Sequence, residues 1–378
     1  MPRNDDAQML FSYDYPPNDG GIARLCAEIV NGFAQRGPVS VFSQLREGDS
    51  IVPAGVVEHR VTGRRPLREL AAWWHLVRDR RLSTVIVGTW YPEGLIALLA
   101  GKRDLVVLAH GAELASPGQS WRRPLWRWMQ RWTLERARLV VANSHYTAEM
   151  VSASAPTANV WAIPLAVDHE RFAPGDRSAA RASLGVDSDT MVIGTVTRIH
   201  AFKGIDVVLR AIAALPSDQR ERLVYLVGGK GGALDDLKRL ACELGIEENV
   251  RWLGFVPEAD LPDLYRAMDL FALCTRELLS ERSVEGFGMV FLEAQACGTA
   301  AVGTRTGGIP DAIHEGEGGW LIAQDDVAAL ARLLGELVDD PDALAEQGQR
   351  ARVRVEREAT WDHYLAAFTA AIGERSDG

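Results

Sequence analysis

No stretch of this chain approaches the roughly 18 consecutive apolar residues that cross a bilayer as a helix. The first residues, MPRNDDAQMLFSY, are acidic and lack an apolar run followed by a small-residue cleavage site, so no secretory signal is expected. Cysteine is scarce. Cys26, Cys242, Cys274 and Cys297 stand far apart, without a C-x-x-C pair or a neighbouring pair of histidines, which argues against a zinc site and a disulfide framework. A reduced, cytoplasmic protein is the simplest reading. Basic residues are outnumbered 41 to 51, and the net charge of -10 argues against general nucleic-acid binding. Also missing is the third glycine that would turn Gly20-Gly21 into a dinucleotide fingerprint.

What is present has the composition of a globular protein, 47% hydrophobic and 24% charged. At 378 residues the chain exceeds the size at which one core stops growing, so two domains are expected. Charge is split unevenly. Residues through Asp168 carry a net +3 and the remainder -13, which leaves room for an anionic partner such as a lipid surface on the first part only.

From Met9, MLFSYDYPPNDGGIARLCAEIVNGF reads as strand, glycine loop and helix, a loop that lets backbone approach a phosphate or an acceptor hydroxyl. Short apolar runs near Val39, Val85, Val106 and Val140 alternate with helical stretches, the pattern of a doubly wound parallel sheet. Ligands collect beyond the carboxyl ends of such strands, where His110, Asn143 and Ser144 fall. Pro164 and Pro174 break the pattern and mark a domain junction. A second αβ series follows, in which Arg198 and Lys203-Gly204 lie at a strand's carboxyl end, suited to a diphosphate. Gly254-Phe255-Val256 ends a later strand.

The run from Glu285 to Glu293, EGFGMVFLE, sets two carboxylates eight positions apart around a glycine turn that opens a helix. Backbone N–H groups from Phe287 to Val290 then lack intrahelical partners and face outward at the positive end of the dipole, an anion site that needs no metal. The other unusual stretch is WRRPLWRWMQRWTLERAR, residues 121–138, with four tryptophans, six arginines and one acid. Helical spacing puts Leu125, Trp128, Met129 and Trp132 on one face and Arg123, Arg127 and Arg131 opposite. Either the apolar face packs on a core with a solvated basic edge, or the helix lies at an anionic membrane, with Arg60, Arg64, Arg65 and Arg68 before Trp73 and Trp74 extending the surface.

Taken together, Gly20-Gly21-Ile22, His110-Gly111-Ala112-Glu113, PLAVDHERF, Arg198 with Lys203-Gly204, LGFVP, the E-x7-E pair and ACGTAAVGTRTGGIPDAI resemble glycosyltransferase family 4 over nearly the whole chain. VEGFGMVFLEAQACG looks most like the bacterial branch with phosphatidylinositol mannoside mannosyltransferases and polysaccharide-assembly enzymes. The resemblance implies an α/β GT-B fold of two Rossmann-like doubly wound domains: 1–168 for the acceptor, joined by the C-terminal helix 360–376, and 169–359 for the nucleotide sugar. It implies a retaining hexosyl transfer from GDP-mannose or a UDP-hexose to a hydroxyl of a glycolipid, polysaccharide precursor or small glycoside, without metal or other cofactor. Arg198 and Lys203, with the amides at Gly286, Phe287, Gly288, Met289 and Val290, would take the diphosphate. Glu293 would take the ribose, Glu285 and His110 the donor sugar, Val256 the base, and Gly20 and Gly21 the phosphates or acceptor. A nucleotide-sugar 2-epimerase and a non-catalytic sugar-nucleotide-binding protein share this fold and remain open. Residues 275–284, TRELLSERSV, are expected to shape the sugar pocket.

Overall fold

The computed structural model describes residues 7–18, 20–44, 52–79, 82–114, 123–278 and 283–373. Trp121 and Arg122 of the Trp/Arg segment, 279–282 of the 275–284 loop and 374–376 of the last helix lie outside them. The chain divides into two compact units, Met1–Leu165 with Trp361–Gly378, and Ala166–Thr360.

The first unit holds β1 Ala7–Phe11, β2 Val39–Gln44, β3 Val57–Val61, β4 Leu82–Val87, β5 Leu105–Ala109, β6 Leu139–Ala142 and β7 Val160–Ala162, with helices α1 Gly21–Ala34, α2 Leu67–Arg78, α3 Leu95–Leu99, α4 Arg123–Arg136 and α5 His145–Ser154. Its seven strands pair in the order β3-β2-β1-β4-β5-β6-β7, all parallel. Strands covered on both faces read as continuous apolar runs, and β5, LVVLA, is buried throughout. The two outer strands β3 and β7 escape a hydrophobic reading because VEHRV and VWA are edge strands, only partly buried.

The second unit holds β8 Met191–Val196, β9 Leu223–Gly228, β10 Val250–Gly254, β11 Leu270–Leu273, β12 Ala300–Thr304 and β13 Gly319–Ile322. Around them run α6 Arg177–Ser183, α7 Ile205–Ala213, α8 Ser217–Arg220, α9 Leu234–Glu243, α10 Leu261–Ala267, α11 Met289–Ala296, α12 Ile309–Ala312, α13 Val327–Asp339 and α14 Pro341–Glu358. Its six strands are also parallel, in the order β10-β9-β8-β11-β12-β13. The last helix, α15 Trp361–Gly373, belongs to the first unit, where Phe368 packs on Phe33 of α1 with ring centroids 5.9 Å apart.

In both sheets the strand order reverses beside the first strand, between β1 and β4 and between β8 and β11. A crevice opens at the carboxyl end of such a switch point because neighbouring connections leave in opposite directions.

One expectation is corrected. Leu125 and Trp128 of α4 do not face a core; both are exposed, alongside Arg123, Arg127 and Arg131. Toward the sheet turn Gln130, Thr133 and Leu134, with Trp126 wedged against Trp90 and Tyr91 at 4.8 and 4.7 Å between ring centroids. A polar Gln130 is tolerated there because its Nε2 donates to the Leu114 carbonyl at 3.0 Å. Arg60 and Arg68 are also drawn away from the surface. Arg60 pairs with Glu58 at 2.8 Å, and Arg68 donates to Gln44 at 2.6 Å beneath the Tyr13 ring.

Candidate active site

The second unit's switch point gathers what the sequence singled out. After β8 the chain passes Arg198 and makes a tight turn at 201–203, then Gly204 opens α7 in the left-handed region, φ 69°. Any side chain at Gly204 would put its Cβ 1.8 Å from the Cys274 carbonyl oxygen, so this glycine lets the post-β8 loop press against the end of β11. Arg276, just past β11, fastens the two. Its N–H donates to the Phe202 carbonyl at 2.6 Å, and its guanidinium grips Asp206 at 2.8 and 2.7 Å, Asp325 at 2.6 Å and the Ala201 carbonyl at 3.0 Å. The hydrogen bonds to Asp206 raise the Arg276 pKa further above its ordinary value, so this clamp is permanently charged.

Held this way, Lys203 is 9% exposed and its Nζ donates to Glu285 Oε2 at 2.5 Å. Two residues 82 positions apart thus form the centre of the site. The Glu285 loop is braced from β12: the Gly308 N–H donates to the Glu285 carbonyl at 2.9 Å, while Thr304 and Thr306 hydroxyls both donate to the Thr275 carbonyl, at 2.6 and 2.9 Å. A Cβ at Gly307 would meet that Glu285 carbonyl at 2.3 Å. This explains in contact terms the TRTGG run that the sequence singled out without assigning it a job.

Gly288 precedes α11 with φ 92°, a conformation L side chains avoid, and α11 begins at Met289. Phe287 is buried, which anchors the turn, while Gly286, Met289 and Val290 stay partly accessible at the helix start. Amides of this first turn have no partner four residues back, so positive charge density collects beside the Lys203 ammonium. Arg198 is exposed, and among the described residues its guanidinium has no partner. Val256 packs toward Gly228, where a Cβ would meet its Cγ2 at 2.9 Å.

Glu293 differs from the picture of an open hydroxyl-gripping group. It is 4% exposed, and the Tyr265 hydroxyl donates to its Oε2 at 2.9 Å. Tyr265 was not singled out from sequence; an isolated tyrosine in α10, 28 residues before its partner, carries no local signal. Nor does Cys274, at the end of β11, serve as a nucleophile, since burial pushes its thiol up to about 12. Another concavity of the second unit, about 470 Å³, opens at the far end of α11 beside Cys297, Arg266 and Arg352; Pro174, Cys297 and the Gly298-Thr299 pair line it, but none of the residues expected to hold the donor does.

In the first unit, His110 follows β5. Its ring Nε2 lies 2.8 Å from the Gly88 carbonyl, an obligate acceptor, so Nε2 carries the hydrogen and Nδ1 is the atom left for a ligand. The His110 N–H donates to Glu113 at 2.7 Å. Gly20 caps α1 at φ 137°, and Gly20 and Gly21 are both exposed. Asn143 Nδ2 donates to the His110 carbonyl at 3.4 Å, and Ser144 caps α5 by accepting from the Thr147 N–H.

Residues 19–171 match the family description "Glycosyltransferase Family 4", and residues 176–354 match "Glycosyl transferases group 1". A GDP-mannose-dependent alpha-(1-6)-phosphatidylinositol monomannoside mannosyltransferase of Mycolicibacterium smegmatis is 31% identical over 91% of this chain and 92% of its own length. A D-inositol 3-phosphate glycosyltransferase of Corynebacterium jeikeium is 38% identical over 58% of the chain, which spans about half (53%) of that relative. Among solved structures, Anabaena Alr3699/HepE in complex with UDP superposes with a TM-score of 0.78 at 20% identity, covering 97% of this chain and 99% of that one. At that identity the likeness speaks for the fold. The sheet pair, the two family descriptions and the full-length relative agree: this chain belongs to glycosyltransferase family 4 and carries the GT-B fold.

Proposed function

We propose that the chain moves a hexosyl unit, with retention, from a nucleotide-diphosphate sugar to a hydroxyl of a glycolipid, polysaccharide precursor or small glycoside. The observation that carries this reading is the Lys203–Glu285 pair beside the glycine-opened start of α11, a fixed cation and fixed amides against one carboxylate. Breaking the bond between the anomeric carbon and phosphate builds negative charge on the departing diphosphate and positive charge on the sugar. Lys203, Arg198 and the amides from Gly286 to Val290 stabilise the former without a metal, because they are preorganised where that charge develops. Glu285 holds Lys203 in place and grips a hydroxyl of the donor sugar. Glu293, steadied by Tyr265, takes the ribose through the small part of it that remains accessible.

In the first unit His110 offers Nδ1 to the donor sugar, and the Gly20-Gly21 turn approaches phosphates or acceptor. Val256, two residues beyond β10, borders the base. The acceptor oxygen attacks from the face the diphosphate leaves, and the acceptor's proton passes to the departing phosphate oxygen, so no side-chain nucleophile is needed. GDP-mannose is the first donor to test, since the full-length relative is named for it, and UDP-glucose the second.

Incubation with each donor and a phosphatidylinositol monomannoside or inositol phosphate acceptor should release nucleoside diphosphate and form an α-linked product. Lys203→Ala and Glu293→Ala should each lose most of that activity with the fold retained. Full activity in both variants would remove the site assignment. An isomerised donor would make the protein an epimerase, binding without turnover a sensor, and a trapped glycosyl adduct on a side chain would overturn same-face attack.

A further inference from the structure

Of the eleven large apolar side chains left in solvent among the described residues, eight lie on α2, α3 and α4 of the first unit, and α2 carries five. Leu67, Leu70, Trp73, Trp74 and Val77 are all exposed, Leu67 at 70% and Trp74 at 54%, while only Ala72 and Leu76 of this helix are buried. The spacing 67, 70, 74, 77 is an amphipathic stripe, which a surface helix ordinarily turns toward its core. Here the stripe faces water.

It also continues across neighbouring elements. Trp73 Nε1 donates to the Leu99 carbonyl at 3.1 Å, joining α2 to the end of α3, where Leu99 is itself exposed. Arg65 lies over the Tyr91 ring at 5.8 Å, and Tyr91 packs on Trp126 of α4 at 4.7 Å. From there α4 adds Leu125 and Trp128, the latter 60% exposed. A patch of this extent, rimmed by charge, marks an interaction site.

The rim carries a basic surplus. Arg64, Arg65, Arg78, Arg123, Arg127 and Arg131 are exposed around these side chains, and Glu69 and Glu135 among them each pair with an arginine, Arg65 and Arg131, at 2.9 Å. The positive surplus stands out on a chain of net charge -10. Arginine and indole are also intimately mixed, with Arg78 4.2 Å from the Trp74 ring and Arg136 4.9 Å from Trp132.

We propose that α2, α3 and α4 of the first unit form a docking surface for an anionic lipid bilayer, with indoles and leucines entering the interface and the exposed arginines pairing with lipid phosphates. Amphipathic indoles and long arginine stems suit the boundary between headgroups and acyl chains. A second copy of the chain fits less well, since a symmetric contact sets arginine rim against arginine rim. The surface is independent of the donor chemistry proposed above and widens the 121–138 segment to a platform in which α2 contributes the larger apolar share.

The test is co-sedimentation of the full chain with phosphatidylcholine vesicles, with and without phosphatidylglycerol. Binding should require phosphatidylglycerol, weaken as salt is raised and shift tryptophan emission to the blue. Trp74→Ser combined with Trp128→Ser should lower the partition coefficient about tenfold or more, and Trp74→Phe with Trp128→Phe should restore most of it. Replacing Arg123, Arg127 and Arg131 by Gln should flatten the salt dependence; all variants are checked for unchanged circular dichroism. The proposal falls if the wild-type chain binds neither vesicle or both alike. It falls equally if lipid-free sedimentation shows a dimer that the serine pair dissolves, which would make a second copy the occupant.

Discussion

Replacing Glu93 by glutamine should make the first unit more stable at neutral pH and remove part of its pH dependence. Glu93 lies in the short turn Trp90–Gly94 between β4 and α3 and is only 3% exposed. Its Oε1 accepts from the Tyr13 N–H at 3.1 Å, and its Oε2 lies 2.7 Å from Thr89 Oγ1. That hydroxyl also lies 2.9 Å from the Tyr91 carbonyl. With Glu93 ionised, the Thr89 hydroxyl hydrogen is shared between two acceptors; with Glu93 protonated, its O–H donates to Thr89 and Thr89 donates to Tyr91. Burial acts in the same direction and raises the Glu93 pKa, with the hydrogen bonds from Thr89 and Tyr13 opposing it.

A carboxyl whose folded pKa is raised gives stability that is complete below the unfolded value, about 4.3, and is lost as pH climbs toward the folded value. Between the unfolded and the folded value each pH unit costs up to about 1.4 kcal/mol. Glu93→Gln keeps the donor and the acceptor and has no such loss. Glu93→Ala leaves the Tyr13 N–H buried without an acceptor, which costs about 1–3 kcal/mol, and adds a cavity. Nine of the eleven tryptophans fall in the first unit, so urea melts followed by intrinsic fluorescence read it selectively. Equal slopes of stability against pH in the wild type and Glu93→Gln, or a less stable glutamine variant at about pH 7, would refute the proton assignment.

The remaining predictions concern the second unit. Gly204→Ala should cost more than about 3 kcal/mol, because the new Cβ meets the Cys274 carbonyl at 1.8 Å and φ is positive; near-wild-type melting would mean the post-β8 loop has another arrangement. Tyr265→Phe removes the hydrogen bond to Glu293 and should destabilise by about 1–3 kcal/mol while weakening nucleotide binding by calorimetry more than it alters kcat. For Arg276→Lys, which cannot hold Asp206 by two bonds and Asp325 at once, donor KM should rise several-fold with the fold kept, measured by nucleotide release; an unchanged KM would detach this clamp from the Lys203 loop.

Much of the architecture is legible because buried parallel strands must be apolar on both faces. The runs around Val85, Val106 and Val140 could be little else, and the glycines at 204 and 288 announce tight starts for α7 and α11. The edge strands β3 and β7 are not legible, since an edge strand need not be apolar. The phase of α4 misleads for a related reason. Counting hydrophobic residues assigns Leu125 and Trp128 to the core, yet Gln130 and Thr133 fill that position, because a hydrogen bond to Leu114 and contacts with Trp90 and Tyr91 exist only once β5 and the Trp90 turn are in place.

Sequence alone determined the fold class and the family, because these rest on local periodicity, on glycine geometry and on motif order. Tertiary structure decided the pairings. That Lys203 meets Glu285, that Tyr265 holds Glu293, that Gly307 and Gly308 brace the Glu285 carbonyl and that α2 turns its apolar stripe outward all depend on which strand ends become neighbours. Contacts across 82 or 28 residues leave no trace in a window of sequence, since each partner's type is also compatible with a solvated surface position.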